Sequence, residues 1–253
     1  MTTDLANALS VARRWLGVEL DEVSAVEKLV SAVGGGVAIL VALLVCDRVI
    51  EGGSILLVAS MGASAVLLFA VPHGQLSQPW PVLVGHIASA AIGVACATVL
   101  GPTFLAAGAA VALAIGAMHL LKSIHPPGGA TALTAVLGGP AIADMGFEFV
   151  LLPVALNAAL MVLLAVAFNG LFPWRRYPAA FADLARGPVD TTPGVIDDST
   201  HRAVLDALRE VDSFIDITEE DLIRLHRSLT AAERKQAGAD DAPADEQLGS
   251  SQP

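Results

Sequence analysis

The sequence is short of charge where it is most apolar. Of its 253 residues, 15% are charged, against roughly 25% in ordinary soluble domains. Between Leu29 and Phe172 there are four acids (Asp47, Glu51, Asp144, Glu148) and two bases (Arg48, Lys122), none in the middle of an apolar run. A buried soluble core does not produce that pattern, whereas a lipid environment does. Cysteine is also scarce. Cys46 and Cys96 stand alone in apolar segments, which excludes a disulfide framework and a thiolate metal motif. Three lysines and a net charge of −11 leave no basic cluster of the kind nucleic acid requires. The apolar runs hold no carboxylate pair, Ser/His/Asp set or HExxH motif, so an intramembrane enzyme is not expected. Their histidines lack acids or thiolates to complete a metal site, and no cofactor is implied. The first twenty residues mix Asp4, Arg13, Arg14 and Glu19 without an apolar stretch, so no secretory signal is expected.

Long hydrophobic runs fill the rest. The mean hydropathy is +0.66. Five runs approach the length of a bilayer crossing: Leu29–Cys46, Ser54–Val71, Val82–Leu100, Phe104–Leu121 and Phe149–Phe172. A crossing takes about 20 residues, with a lower limit near 17. Pro126–Leu137 is a shorter sixth segment, and "GPT" (Gly101–Thr103) can form only a tight helical hairpin. The expected fold is an all-α polytopic membrane protein, a compact bundle of four to six spans. Residues 1–28 read as an interfacial arm. Residues 29–172 are the transmembrane domain, with halves at about 29–100 and 104–172. A cytoplasmic helical hairpin is expected over 173–230 and a disordered acidic tail over 231–253.

Lys and Arg near the spans place both termini in the cytoplasm, as for a multi-pass protein of the cell membrane. Arg13, Arg14 and Lys28 precede the first span, and Arg175 and Arg176 follow the last. An even number of crossings is then required, so Ser54–Val71 and Pro126–Leu137 both cross or neither does. The sequence links the two segments independently. A shift of 67 residues lays Gly62-Ala63-Ser64-Ala65 on Gly129-Ala130-Thr131-Ala132, and Val82–Leu100 on Phe149–Ala167. Six crossings would make this a two-fold inverted repeat with two broken or half helices, a common transporter plan. Charge placement favours six.

The stretch "KSIHPPGGATALTAVLGG" (Lys122–Gly139) carries the candidate chemistry. Pro126 and Pro127 end one helix and can begin another. Gly128 and Gly129 allow close approach of the backbone, and Ala130 and Thr131 open the short helix. A helix N-terminus at membrane depth offers N–H groups and a partial positive charge, which suit an anion. Gly62-Ala63-Ser64 could interrupt the first half in the same way, with Ser60 and Ser64 supplying hydroxyls. Two such breaks facing one another near the midplane would hold a small monovalent anion weakly enough to release it. His125, Pro126, Pro127, Gly128, Gly129, Ala130, Thr131, Ser60, Gly62, Ala63 and Ser64 are therefore the substrate-site candidates. Lys122, Ser123, Gln78, His86, His119 and Asn157 are pathway candidates. Gly62, Ala63 and Gly93 also suit helix packing, and Asn157 suits a bond to a neighbouring helix.

"IHPPGGATAL" (Ile124–Leu133) resembles the signature of the HPP family of integral membrane proteins, and "GASAVLLFAVPHGQLSQPWPVLVGHIASAAIGV" (Gly62–Val94) resembles the same family. The similarity runs from about Val30 to Phe172. It implies a compact helical bundle, usually described with four spans rather than six. It also implies nitrite transport, the activity associated with cyanobacterial and plastid members. His125, Pro126, Pro127, Gly129, Ala130 and Thr131 match the motif. Gly128 stands where relatives often have Ala, which is expected to loosen the turn.

Beyond Pro173 the balance is sixteen acids to nine bases. Thr200–Phe214 and Thr218–Leu229 read as amphipathic helices, suited to docking or self-association. Two functions compete. One is a transporter or channel for a small anion, nitrite first. The other is a membrane sensor or assembly module working through the tail, and transport of another small solute is a variant of the first. The partners expected are the lipid bilayer and the anion, with the number of subunits left open.

Overall fold

The computed structural model describes residues 23–49, 59–175 and 177–181. Every regular element among them is helical. Helix α1 is Ala25–Val49 and α2 is Ser60–Ala70. A short 3₁₀ turn, Gln75–Ser77, leads into α3, Pro79–Leu100. Then come α4, Phe104–Leu120, α5, Pro127–Leu137, and the short α6, Pro140–Met145. A wider, π-type turn, Val150–Ala155, runs into α7, Leu156–Asn169. The expected arm (1–28, save its last six residues) and tail lie outside the described residues.

Local chemistry sets the helix ends. α1 carries Glu27 in its first turn and Arg48 in its last, which matches the helix dipole. α3 opens on Pro79 and stops at Gly101, whose φ is +69°. The Thr103 hydroxyl accepts from the Ala106 N–H at 3.1 Å and caps α4. α4 ends in a Schellman turn. The Ser123 N–H donates to the Met118 carbonyl and the Lys122 N–H to the His119 carbonyl. The residue that must turn left-handed there is Lys122, at φ +52°.

The structure refines two of the expected runs. α2 has 11 residues and is about 16 Å long, half of a bilayer core of about 30 Å. Gly62-Ala63-Ser64 lies inside α2 without interrupting it, and the helix begins just upstream at Ser60. Phe149–Phe172 is not one continuous helix. Leu152 takes φ −127° and ψ 108° ahead of Pro153, because proline cannot donate an N–H and crowds the residue before it.

Among the described residues, three stretches are long and apolar enough to cross a membrane: Ala25–Arg48, Pro79–Leu100 and Val150–Asn169. α3 is central, packing on α4, α5 and the 150–155 segment. The α3–α5 contact uses small residues. A methyl group on Gly93 would lie 2.6 Å from Ala135 Cβ and 2.7 Å from the Ala132 carbonyl oxygen. Without a hydrophobic drive between helices in lipid, such close packing is what holds them. Large apolar side chains point outward, with Phe104 92% and Leu120 86% exposed. That surface suits lipid, not water.

Candidate functional site

The α2–α3 turn and the α4–α5 connection lie at the same end of the bundle. The Trp80 indole donates to the Leu121 carbonyl at 3.1 Å. His125 Nδ1 lies 2.8 Å from the Leu76 carbonyl oxygen of the 3₁₀ turn, which can only accept. From there α5 runs antiparallel to α2. Ser64 Oγ meets His125 Nε2 at 2.9 Å, and Ser60 Oγ meets Thr131 Oγ1 at 2.8 Å. The first turns of two 11-residue helices therefore lie side by side.

His86 joins them from α3. It sits seven residues beyond Pro79, about 10 Å along the helix. Its Nε2 is 2.8 Å from Ser64 Oγ and its Nδ1 2.7 Å from Thr131 Oγ1. The His86 and His125 rings meet edge to face at 4.9 Å between centroids. Ser60, Ser64, His86, His125 and Thr131 are each at most 1% exposed. Five side chains from three helices and one connection thus form one closed polar cluster. α2, α3, α5 and α7 carry no Asp, Glu, Lys or Arg, so the cluster has no fixed charge on the helices around it.

Glycine makes the approach of α5 to α3 feasible. A methyl on Gly85 would lie 2.8 Å from His125 Cβ and 2.9 Å from the Ser123 carbonyl oxygen. One on Gly128 would lie 2.8 Å from Ser89 Oγ and 3.0 Å from the Gly85 carbonyl oxygen. Gly128 thus seats the helix start against α3, which is a packing role distinct from a loosened turn. The Ser89 and Ser123 hydroxyls are buried beside this contact without a hydrogen-bond partner.

The remaining candidates sit elsewhere. The Gly128 and Gly129 N–H groups donate to the His125 and Pro126 carbonyls at 2.8 and 3.1 Å. Pro126 and Ala130 are exposed, as are Gly62 and Ala63 on the other side of α2. Gly62 faces an open groove of about 690 Å³ between α1 and α2, lined by Gly35, Gly36, Ala65 and Val66 among others. Gln78 ties its own turn together through the Pro72 and Gly74 carbonyls and accepts from the Ala179 N–H. His119 and Lys122 are exposed. Asn157 accepts from the Cys46 thiol at 2.8 Å, an α1–α7 bond.

One buried group stands out that the sequence reading treated only as a flanking charge. Arg175, 1% exposed, donates to Glu27, Ser31, Asn169 and the Phe69 carbonyl. It closes the C-terminus of α2 and fastens α1 and α7 to it. Burial lowers its pKa, while the Glu27 carboxylate works against that. The signal in the sequence was Glu27 just ahead of the first apolar run, an acid needing a partner.

A family model described as "HPP, transmembrane region" matches residues 20–178. A transmembrane protein of Dictyostelium discoideum is 40% identical over 173 residues, 66% of this chain and 55% of that protein. A second transmembrane protein from the same organism is 39% identical over 126 residues, 48% of this chain and 44% of that protein. The chain spans about half the length of these curated relatives. No solved structure matches it significantly.

Proposed function

The chain belongs to the HPP transmembrane family, and on that premise we propose that it carries a small monovalent anion, nitrite first, across a membrane. The observation that carries the reading is the pairing of Ser60 and Ser64 with Thr131, His125 and His86 where two short helices begin. Hydroxyl and imidazole donors without fixed charge bind a monovalent anion weakly, as passage requires. A passing anion takes over donors that otherwise bond to one another.

The proposal includes the inverted repeat expected from the sequence. α2 and α5 have equal length, and their bounds, Ser60–Ala70 and Pro127–Leu137, coincide under the shift of 67. α1 packs on α2 and α7, and α4 packs on α5 and α3. Each half's last helix thus lies against the other half's first. Irregular backbone between such halves is where transporters hold their substrate.

The test is flux into proteoliposomes, with nitrite offered alone and against nitrate, formate and chloride. Saturable nitrite flux is expected in the wild type. Thr131→Val removes the hydroxyl that joins Ser60 to His86, and flux is expected to fall by about ten-fold or more. Well-folded protein that passes none of these anions would refute the reading. A module acting through its tail would then be favoured, and deleting residues 182–253 should abolish its output.

A further inference from the structure

We propose that Ser60, Thr131, His86, Ser64 and His125 form a proton relay that couples solute passage to proton movement, with His125 as the station where the proton rests. The proposal rests on the transport reading and goes beyond it in assigning the coupling.

The four bonds that join these side chains take their direction from the bond to Leu76. Ser64 Oγ and Thr131 Oγ1 also lie at a longer 3.3 and 3.4 Å from the Ser60 and Pro127 carbonyls, the alternative acceptors for their single protons. The Leu76 carbonyl only accepts, so His125 donates to it from Nδ1. A neutral imidazole with a proton on Nδ1 accepts at Nε2, so the Ser64 hydroxyl donates there. Ser64 Oγ then accepts from His86 Nε2. That leaves His86 Nδ1 as an acceptor for the Thr131 hydroxyl. Thr131 Oγ1 in turn accepts from the Ser60 hydroxyl. Five side chains are wired in series with one polarity, from the first residue of α2 to the α2–α3 turn.

Such a series passes a proton by successive hops. A proton arriving at Ser60 Oγ displaces that hydroxyl's own proton onto Thr131. Thr131 passes its proton to His86 Nδ1, His86 releases the one on Nε2 to Ser64, and Ser64 hands its proton to His125 Nε2. One proton has entered and none has been lost. The charge rests on His125 as an imidazolium still donating from Nδ1 to Leu76. Discharge is from Nδ1 to water when that N–H parts from the Leu76 carbonyl. Neutral His125 is left with its proton on Nε2, and the series resets when His125 and His86 return to their starting tautomers.

The passing anion, not the surroundings, gives the proton a reason to be there. Of the titratable groups on the packed elements, α3 adds Cys96, which sits in the separate α3–α4–α5 core. α4 adds the outward-facing His119. α2, α5, α7 and the Gln75–Ser77 turn add none. An anion passing through has no fixed cation to offset it at membrane depth. An imidazolium at His125 supplies that charge.

Two measurements test the proposal. Nitrogen-15 NMR of labelled wild-type protein at neutral pH should place the proton on Nδ1 of His125 and on Nε2 of His86. The reverse placement would break the series and overturn the relay whatever the transport result. In proteoliposomes holding a pH-sensitive dye, nitrite influx should acidify the interior in proportion. Ser64→Ala should lower the proton-to-nitrite ratio about ten-fold, and Ser64→Thr, which keeps the hydroxyl, should restore it. Saturable nitrite influx without proton entry in the wild type, or an unchanged ratio in Ser64→Ala, refutes the relay and leaves transport standing. Absence of any influx alongside the expected tautomers refutes the transport reading and with it the coupling.

Discussion

Two residues at the Arg175 end hold roles that their type does not announce. Lys122 occupies the left-handed position of the α4 Schellman turn at φ +52°. A left-handed backbone costs an L-residue about 1–2 kcal/mol. Lys122→Gly should therefore gain up to about 1 kcal/mol, less the added freedom of the unfolded chain. Lys122→Val, branched at Cβ, should lose about 1–2 kcal/mol. Thermal unfolding in detergent would check the pair. Arg175 is buried against a Glu27 side chain that is 23% exposed. Removing a buried partner costs about 3–5 kcal/mol. Arg175→Gln should fall in that range, since it also strips the Phe69 carbonyl and Asn169 of their donor. Glu27→Gln should cost less, because Gln keeps an acceptor and the site is partly wet. Equal losses in the two variants would show that the ion pair, not the capping of α2, holds this end.

At the scale of elements, close approach decides the site. α5 lies against α3 through Gly85, Gly93 and Gly128, where added methyl groups meet neighbouring atoms at 2.6 to 2.8 Å. Gly85→Ala drives a methyl into His125 Cβ and the Ser123 backbone, so the connection before α5 must shift. Such overpacking typically costs about 1–3 kcal/mol. Transport should fall along with stability, because the shift moves His125 away from Ser64. Gly62→Ala is the comparison, with nothing within 4 Å of the added group. It should change the melting temperature little. Much of this level was legible in the sequence. The run lengths place the long helices, and "HPP" marks the start of α5 because two prolines admit little else. The break at Leu152–Pro153 was missed because an apolar run conceals a proline that removes one hydrogen bond. His86 stood out only as a histidine inside a span. Its partners Ser64 and Thr131 lie 22 and 45 residues away, and helix packing brings them together, not sequence spacing.

For the whole molecule, the arrangement of ends sets the topology. Glu27, His73, Trp80, Leu121, Trp174 and Arg175 share one end through their hydrogen bonds. The Gly101–Thr103 hairpin lies at the other, a full α3 length of 22 residues away. Single cysteines at Lys122 and Trp174 should label from one side of the membrane, and one at Gly101 from the opposite side. The Lys and Arg distribution leads us to expect the first side to be the cytoplasmic one. Reaction of all three from one side would refute this topology. The domain limits and the amphipathic tail, read from charge and periodicity, lie mostly outside the described residues.

The segment leaving the last helix also has a mechanical position. The Tyr177 hydroxyl grips the Ser77 carbonyl at 2.8 Å, and the Ala179 N–H holds Gln78 at 3.0 Å. Ser77 is joined by one peptide bond to Leu76, whose carbonyl holds the imidazole of His125. A load on the chain near residue 181 therefore has short leverage on the ring, through two hydrogen bonds and one covalent link. Tension there works directly against the anchor that sets which nitrogen of His125 carries its proton.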